Sequence, residues 1–437
     1  MISWLSIVIF VFVFICLLMM VVYLINIIKT SKYLKESRNI MEAVASQDDS
    51  QIEMAVILPC LREQNIIAGS IDYFCSMSLK HVKMHLIISC TKRELTSNQE
   101  YGFDCSSADV AREHIKKLKP NPNIDFFVYE ANDLDKGDRA TQMNEAMDEF
   151  LKEHPNIDIV AVFDADSRPD INTFEEVAFR HKKDRDCIFQ QPENYLVSAN
   201  ELSKSKCSRL AVANALYQHQ WTIINEIPMF LRHYKNNNSF LYMNGHGMFF
   251  PLHKYLSIRF PEYEVADGIH VGYRVWVMRY KLTPLALRGY TVAPNKVSKL
   301  PQQHKRWYGG AIRLGSAIKW GKKIGAKPKP LSIISGYFMQ YRWAFTANLF
   351  LVNLALSIVD LCVYKSFIPL ISLVSLLFVY SYIYSLISIK MEKRKNHISF
   401  FGYLLVPIAI LFKSFGPDLY YLQKVFGRKV VYQKCER

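Results

Sequence analysis

No two of the nine cysteines stand in a CxxC pair, and their number is odd. A disulfide framework is therefore not expected, and the thiols fit a reducing compartment. Cys60, Cys75, Cys90 and Cys105 recur every fifteen residues, which is no metal-ligand spacing and reads as buried thiols or chance. The chain also lacks an internal repeat and a low-complexity linker. No nucleic-acid-binding motif accompanies its formal charge of +15, so nucleic acid is excluded as a partner. The cations instead flank apolar segments, as in KWGKKIGAKPKP (319–330) and KMEKRK (390–395), where membrane lipid headgroups are the expected contact. Charge is missing altogether from residues 1–28. That run exceeds the ~7–15-residue apolar region of a signal peptide and has no small-residue cleavage site, so an uncleaved transmembrane helix is expected.

What is present sorts the 437 residues into a simple order. After the first span comes a basic juxtamembrane linker, 29–50, beginning KTSKYLKESR; the positive-inside rule then puts the next domain in the cytoplasm. From 51 to 310 the short apolar runs EMAVILP, MHLIIS, IDFFVY and IDIVAVF alternate with segments of helical period, the pattern of βαβ units and a largely parallel sheet. In 138–151, Ala140, Met143, Ala146, Met147, Phe150 and Leu151 fall on one helical stripe, which is read as core. Residues 311–343 are expected as interfacial helices, and 344–437 as a C-terminal membrane region. Within it 344–363 and 367–389 are long enough to cross. Pro407 interrupts 398–417, which is expected as an interfacial or re-entrant hairpin ahead of a basic tail.

The chemistry collects at strand ends. IDIVAVF runs into DADSRP, so Asp164 and Asp166 leave the carboxyl end of a strand, the usual ligand edge of an open α/β sheet. Two carboxylates plus substrate phosphates suit a hard cation such as Mg²⁺ or Mn²⁺; a solvated turn is the plain alternative. LPCLREQN places Glu63 just past the first strand, either within reach of a ligand or as a helix-start carboxylate. KGDRATQMNEAM gathers Gly137, Arg139 and Asn144 at a helix beginning, a guanidinium beside backbone donors that suits phosphate.

Taken in order, PxxxE at the first strand, a basic residue before QMN, the strand-end DxD, the loop NGHG (244–247) and LPQQHKRWYGG (300–310) with its QxxRW resemble the membrane-bound family 2 glycosyltransferases, which include cellulose, chitin and hyaluronan synthases and ceramide glucosyltransferase. The resemblance implies an α/β, GT-A-type (Rossmann-like) cytosolic domain inserted between the N-terminal transmembrane helix and C-terminal transmembrane or interfacial helices. It implies that Gln303 and Arg306 contact the nucleotide diphosphate and that Trp307 packs against the acceptor sugar or lipid. A snorkelling interfacial helix is the alternative for those three. It implies that Asp164 and Asp166 hold the Mg²⁺ or Mn²⁺, and that Gly245, His246 and Gly247 form an acceptor loop. The glycines there let backbone approach a sugar; a lone histidine is as readily a structural hydrogen-bonder.

The chain departs from that pattern in three places. Before GYR (272–274) the usual acidic pair falls on Asp267 and Gly268. Asp267 is therefore the expected general base, with Glu264 in reserve, although Asp is also a favoured N-cap. The second strand ends LIISCTKRE, so contact with the nucleotide base is left to Glu94 or Glu63. The tail VVYQKCER has Cys435 where relatives carry threonine.

The expected function is inverting, metal-dependent sugar transfer from a nucleotide-diphosphate sugar, UDP-sugar first, by a multi-pass membrane enzyme with a cytoplasmic catalytic domain. A growing polysaccharide is the first acceptor and a lipid or lipid-linked glycan the second. A catalytically inactive nucleotide-sugar-binding membrane protein is a third reading, prompted by the missing second acid. A homo-oligomer is compatible, since a channel completed by a second copy leaves no mark in one chain.

Overall fold

Strand β1 (Ile52–Pro59) sends Ala55 and Ile57 to one face and Met54, Val56 and Leu58 to the other, and all five are buried. A strand covered on both sides belongs inside a parallel sheet with helices on each face. In this computed structural model, which describes residues 3–37, 39–45, 50–94, 104–132, 138–205, 208–236, 239–262, 267–391 and 397–427, β1 pairs in parallel with β2 (Val82–Thr91) and, on its other edge, with β4 (Ile159–Val162). Strand β3 (Ile124–Ala131) lies outside β2. Three more strands, β5 (Ile188–Gln190), β7 (Met248–Pro251) and β8 (Leu282–Pro284), complete a seven-stranded sheet of order β3-β2-β1-β4-β7-β5-β8. Two short strands, β6 (Glu193–Asn194) and β9 (Gly289–Tyr290), pair separately.

The winding reverses between β1 and β4, so the crevice at their carboxyl ends is the topological switch point. Strand β7 is antiparallel to β4, with Met248 opposite Val162. Gly247 N donates to Val162 O at 2.8 Å, which brings the 244–247 loop to the place where β4 ends and Asp164 follows.

The helices of the α/β layer fit the sequence expectation closely. Helix α1 (Trp4–Ser37) precedes the sheet, and α2 (Arg139–Glu153) is N-capped by Asp138, whose carboxylate accepts from Thr141 N at 2.8 Å. The stripe of Ala140, Met143, Ala146, Met147 and Phe150 is buried against the sheet. Asn144, on the same helix, is buried but does not join the site; its Nδ2 donates to Phe260 O at 3.0 Å and Glu262 at 3.1 Å, and its Oδ1 accepts from Phe260 N at 3.2 Å. It therefore fixes the segment that leads toward Asp267.

Helix α3 (Arg209–Trp221) continues through a π-helical turn, Thr222–Glu226, into α4 (Ile227–Asn236). Such turns displace side chains from the helical register and recur at functional sites. Helix α5 (Asp267–Val277) starts hard against the loop before β7: Met243 N donates to Gly268 O at 3.0 Å, and a Cβ on Gly268 would sit 2.2 Å from Met243 O. Only glycine fits there.

Among the described residues, three helices are long and apolar enough to cross a membrane: Trp4–Glu36, Pro330–Tyr364 and Ile368–Lys390. Helix α6 (Lys299–Ala311) and a short helix, Leu314–Lys323, lead to the second of them, α7 (Pro330–Tyr364). The sequence reading separated 331–343 from a span at 344–363. No proline or other breaker divides them, and they form one helix that ends at Lys365 in the left-handed conformation, φ 55°. Residues 398–417 break into Phe400–Leu404, Val406–Phe412 and the start of α8 (Phe415–Val425), each too short to cross.

Replacing Asn144 by leucine leaves the buried groups of Phe260 without partners, at a cost of about 2 kcal/mol. Thermal unfolding of the purified protein in detergent is expected to show a clear fall in midpoint for Asn144→Leu, whereas Asn144→Asp, which keeps the acceptor for Phe260 N, should fall less.

Candidate functional site

A cavity of about 430 Å³ lies between the carboxyl edge of the sheet and the apolar helices, lined by Arg139, Asp164, Gly245, His246, Arg306 and Trp307 together with residues of α3, α5 and α7. That volume is in the range of small-molecule sites.

At the sheet edge, the Arg139 Nη2 atom sits 2.7 Å from Asp164 Oδ1 and 2.7 Å from the carbonyl of Gly245. Three segments distant in sequence thus meet at one guanidinium. Asp166 follows on the same turn, half-buried but outside the cavity lining. The turn is set by Asp164 N donating to Ser167 Oγ at 3.0 Å. Among the described residues no group of three or more His, Cys, Asp or Glu forms a metal cage. Asp164 and Asp166 are the donor set at this edge, which suits a hard cation completed by ligand phosphate rather than an all-protein site.

The 244–247 loop is held by Gln190, whose Nε2 donates to His246 O at 2.9 Å and Gly247 O at 3.1 Å. Gly247 has φ 65°, and a Cβ there would meet Gln191 Cβ at 2.9 Å, so this glycine serves the turn and does not line the cavity. His246 does line it and forms an ion pair with Glu193 of β6. Burial alone would disfavour the imidazolium, but Glu193, with Asp164 and Asp166 at longer range, pushes its pKa up to about 9. Burial likewise opposes ionisation of Glu193, and His246 holds it below the usual carboxylate range.

Helix α6 delivers the QxxRW segment. Arg306 and Trp307 reach the cavity, Trp307 edge-on to His304 with ring centres 5.4 Å apart. Gln303 is buried behind the wall, its amide oxygen 3.5 Å from Gln218 Nε2 of α3, so it positions a neighbour rather than lining the cavity. Burial and Lys413 bring the His304 imidazole down to about 3, keeping it neutral.

Glu63 is half-buried on the loop after β1, beside Arg62, which adopts φ 58°. Glu94, one of the two carboxylates considered for the nucleotide base, is fully buried. It accepts from Arg62 N at 2.6 Å, Ser107 N at 2.7 Å and Ser107 Oγ at 3.0 Å. Its capacity is consumed in holding that loop, and neither Glu94 nor Glu63 is among the residues lining the cavity. Gly137, Glu264 and the tail with Cys435 lie outside the described residues, as does the Asp267 side chain. The backbone following Asp267 is placed, with Gly268 and Ile269 lining the cavity.

Four further residues in the lining carry no motif in the sequence: Glu193, Glu226, Tyr242 and Lys413. Glu226, on the π-helical turn, accepts from Thr222 Oγ1 at 2.9 Å and Tyr242 OH at 3.1 Å. Burial, reinforced by Glu193, pushes it up to about 7, a value suited to proton transfer near neutrality.

No protein-family model matches this chain, and no curated protein sequence matches it. Among solved structures, similar chains include the mannosyltransferase PcManGT from Pyrobaculum calidifontis in complex with GDP-Man and Mn²⁺, at 12% identity over 94% of this chain and 99% of that one, with a TM-score of 0.48. TarS 1–349 from S. aureus in complex with UDP-GlcNAc is similar at 10% identity over 86% of this chain and 93% of that one, with a TM-score of 0.38.

Because His246 is raised from 6.5 to about 9, its pair with Glu193 contributes fully below the unfolded value and is lost as pH rises through the folded one. Denaturation of wild type and His246→Gln in metal-free buffer should therefore show a stability gap that is full at pH 6 and narrows steadily toward pH 10. A gap independent of pH would show that the histidine acts through packing alone.

Proposed function

We propose that this chain is a membrane-bound glycosyltransferase of GT-A architecture and family 2 type, which transfers a sugar with inversion from a nucleotide-diphosphate donor. The observation that carries this reading is one cavity at the β1/β4 switch point lined by Asp164, Arg139, the Gly245–His246 turn, the start of α5 and the Arg306–Trp307 pair. With the three apolar helices counted as spans, Lys29, Lys32 and Lys35 at the end of α1 support a cytoplasmic side for the α/β domain.

Arg139 and Arg306 offer forked donors to the donor's diphosphate, and Trp307 offers a flat apolar face to a sugar. Asp164 and Asp166 would hold Mg²⁺ or Mn²⁺, which when bound supplies charge stabilisation to the leaving diphosphate. The acceptor hydroxyl oxygen forms the new bond to the anomeric carbon as the bond to the diphosphate breaks. The electron pair leaves with the nucleoside diphosphate, and the hydroxyl proton passes to a carboxylate. Asp267, which opens α5, is that base in this reading, and Glu226, which lines the cavity, is the alternative. With Glu94 committed to its loop, Glu63 is the carboxylate assigned to the nucleotide base, with UDP-sugar as donor.

Of the two acceptors, growing polysaccharide and lipid, the cavity favours the second. Its wall toward the apolar helices comes from Met339, Gln340 and Trp343 of α7, which supports an acceptor with an apolar portion.

The test is nucleoside diphosphate release by purified protein in nanodiscs, with a panel of UDP- and GDP-sugars and native membrane lipids. Asp166→Asn is expected to lose activity, and chelation should abolish wild-type turnover until Mn²⁺ is restored. Asp267→Asn should lower kcat by about 10²- to 10⁴-fold, the usual contribution of a general base, and Glu226→Gln by less. The opposite ranking would move the base to Glu226. Absence of release with every donor would end the transferase reading.

A further inference from the structure

Lys413 sits at the end of the cavity nearest the apolar helices, 8% exposed. Its Nζ bonds the hydroxyl of Tyr217 and stands 4.7 Å from the Tyr217 ring centre and 5.1 Å from that of Trp221. Among the described residues no carboxylate pairs with it. A second cation stands on the same indole: the Arg342 guanidinium is 5.3 Å from the Trp221 ring centre and donates to Tyr23 OH at 2.7 Å. Burial and Arg342 bring the Lys413 ammonium down to about 7. Buried cations are ordinarily paired with an anion.

Gln340 adds a second donor. It is 2% exposed, lines the same cavity, and its Nε2 has no hydrogen-bond partner among the described residues. The backbone here is fixed, because Trp343 Nε1 donates to Lys413 O at 3.2 Å and Ser414 Oγ to Trp343 O at 3.0 Å. An ammonium and an amide N–H held over a cavity and set among aromatic rings form the protein's half of an anion site.

The surroundings say which anion. Gln340 belongs to a helix long and apolar enough to cross a bilayer, and its neighbours Phe338 and Tyr341 are 58% and 49% exposed. The donor's diphosphate has its own cations, Arg139 and Arg306. We propose that Lys413 and Gln340 bind the phosphate of a membrane amphiphile, an anionic phospholipid or lipid-linked phosphate that enters as the acceptor and presents a hydroxyl further along the cavity. The phosphate is held and takes no part in bond making. As an acceptor assignment this rests on the transferase reading; as a binding site it does not.

Dioleoylphosphatidylglycerol is the probe, titrated into protein in a neutral detergent with tryptophan fluorescence as the readout, because Trp221, Trp307 and Trp343 line the cavity. It is expected to bind about tenfold more tightly than dioleoylglycerol or glycerol 3-phosphate, and Lys413→Met is expected to weaken it about tenfold, the scale of one charge-assisted hydrogen bond. Lys413→Arg should retain binding, and Gln340→Leu should weaken it in a protein whose lysine is intact, so that misfolding of the methionine variant does not decide the matter. Equal binding of dioleoylglycerol would show an apolar pocket only, and equal binding of glycerol 3-phosphate a site for free phosphate; either overturns the proposal, as does wild-type affinity in Lys413→Met and Gln340→Leu. Calorimetry of nucleotide sugars with Mn²⁺ on the wild type reads the other question separately. Lipid selectivity without donor binding removes the transferase reading and keeps the site, whereas donor binding without lipid selectivity removes the site alone.

Discussion

The Arg139 guanidinium ties together three parts of the chain at the carboxyl edge of the sheet. One of its nitrogens is 2.7 Å from both the Asp164 carboxylate and the Gly245 carbonyl. The first marks the end of a parallel strand, the second the approach to an antiparallel one, and the arginine itself opens a helix. A planar donor with fixed N–H directions imposes geometry on all three at once. It also eases the local charge problem, because the Asp164 carboxylate is paired with a permanent cation where β4 ends. The pairing of β4 with β7 supplies the distance, since Gly247 N reaches Val162 O only if the loop turns sharply.

Around that fixed point the cavity sorts its charges by how they are compensated. His246 and Glu193 neutralise each other, so neither carries the desolvation cost alone. Glu226 accepts from the neutral hydroxyls of Thr222 and Tyr242, which do not offset its burial, and it moves toward its protonated form. Lys413 is balanced by ring faces, a weaker compensation than a carboxylate gives. The three environments coexist because α6 is clamped between the α/β layer and α8. Gly416 allows that approach, as a Cβ there would fall 2.5 Å from the backbone of His304, and Tyr308 OH meets Tyr421 OH at 2.8 Å.

The parts legible in the sequence are those whose signal is local. Apolar runs of four to ten residues became β1 to β4 because both faces of such strands must be buried, and the DxD followed from where a strand stops. Arg306 and Trp307 were legible as a dense polar and aromatic cluster. What was not legible depends on contacts across hundreds of positions. Lys413 reads as one more cation near an apolar segment until Tyr217 and Trp221 are brought over it. Glu226 lies in an ordinary helical stretch, and its direction is set by a π-turn that periodicity does not announce. Asn144 and Glu94 look like site residues by position, yet each is spent on backbone groups of a neighbouring loop. Residues 331–343, read as interfacial, and 344–363, read as a span, lie on one continuous helix, because nothing in the backbone chemistry stops it between them.

Gly268 bears on whether the chain is an enzyme at all. Where a second acid would be expected stands a residue with no side chain, and taken alone this suggests lost catalysis. The packing gives a different cause. The carbonyl of Met243 occupies the place a Cβ would need, 2.2 Å away, and the backbone of Gly268 bonds Met243 in return. Any acid at this position would force α5 away from the 244–247 loop and open the cavity it helps to line. The glycine thus keeps the start of α5 close to the 244–247 loop, while a carboxylate with a raised pKa, Glu226, enters the same cavity from the π-helical turn. The missing acid is thus accounted for by packing, and the cavity beside it still carries Asp164, Glu193 and Glu226 in its wall.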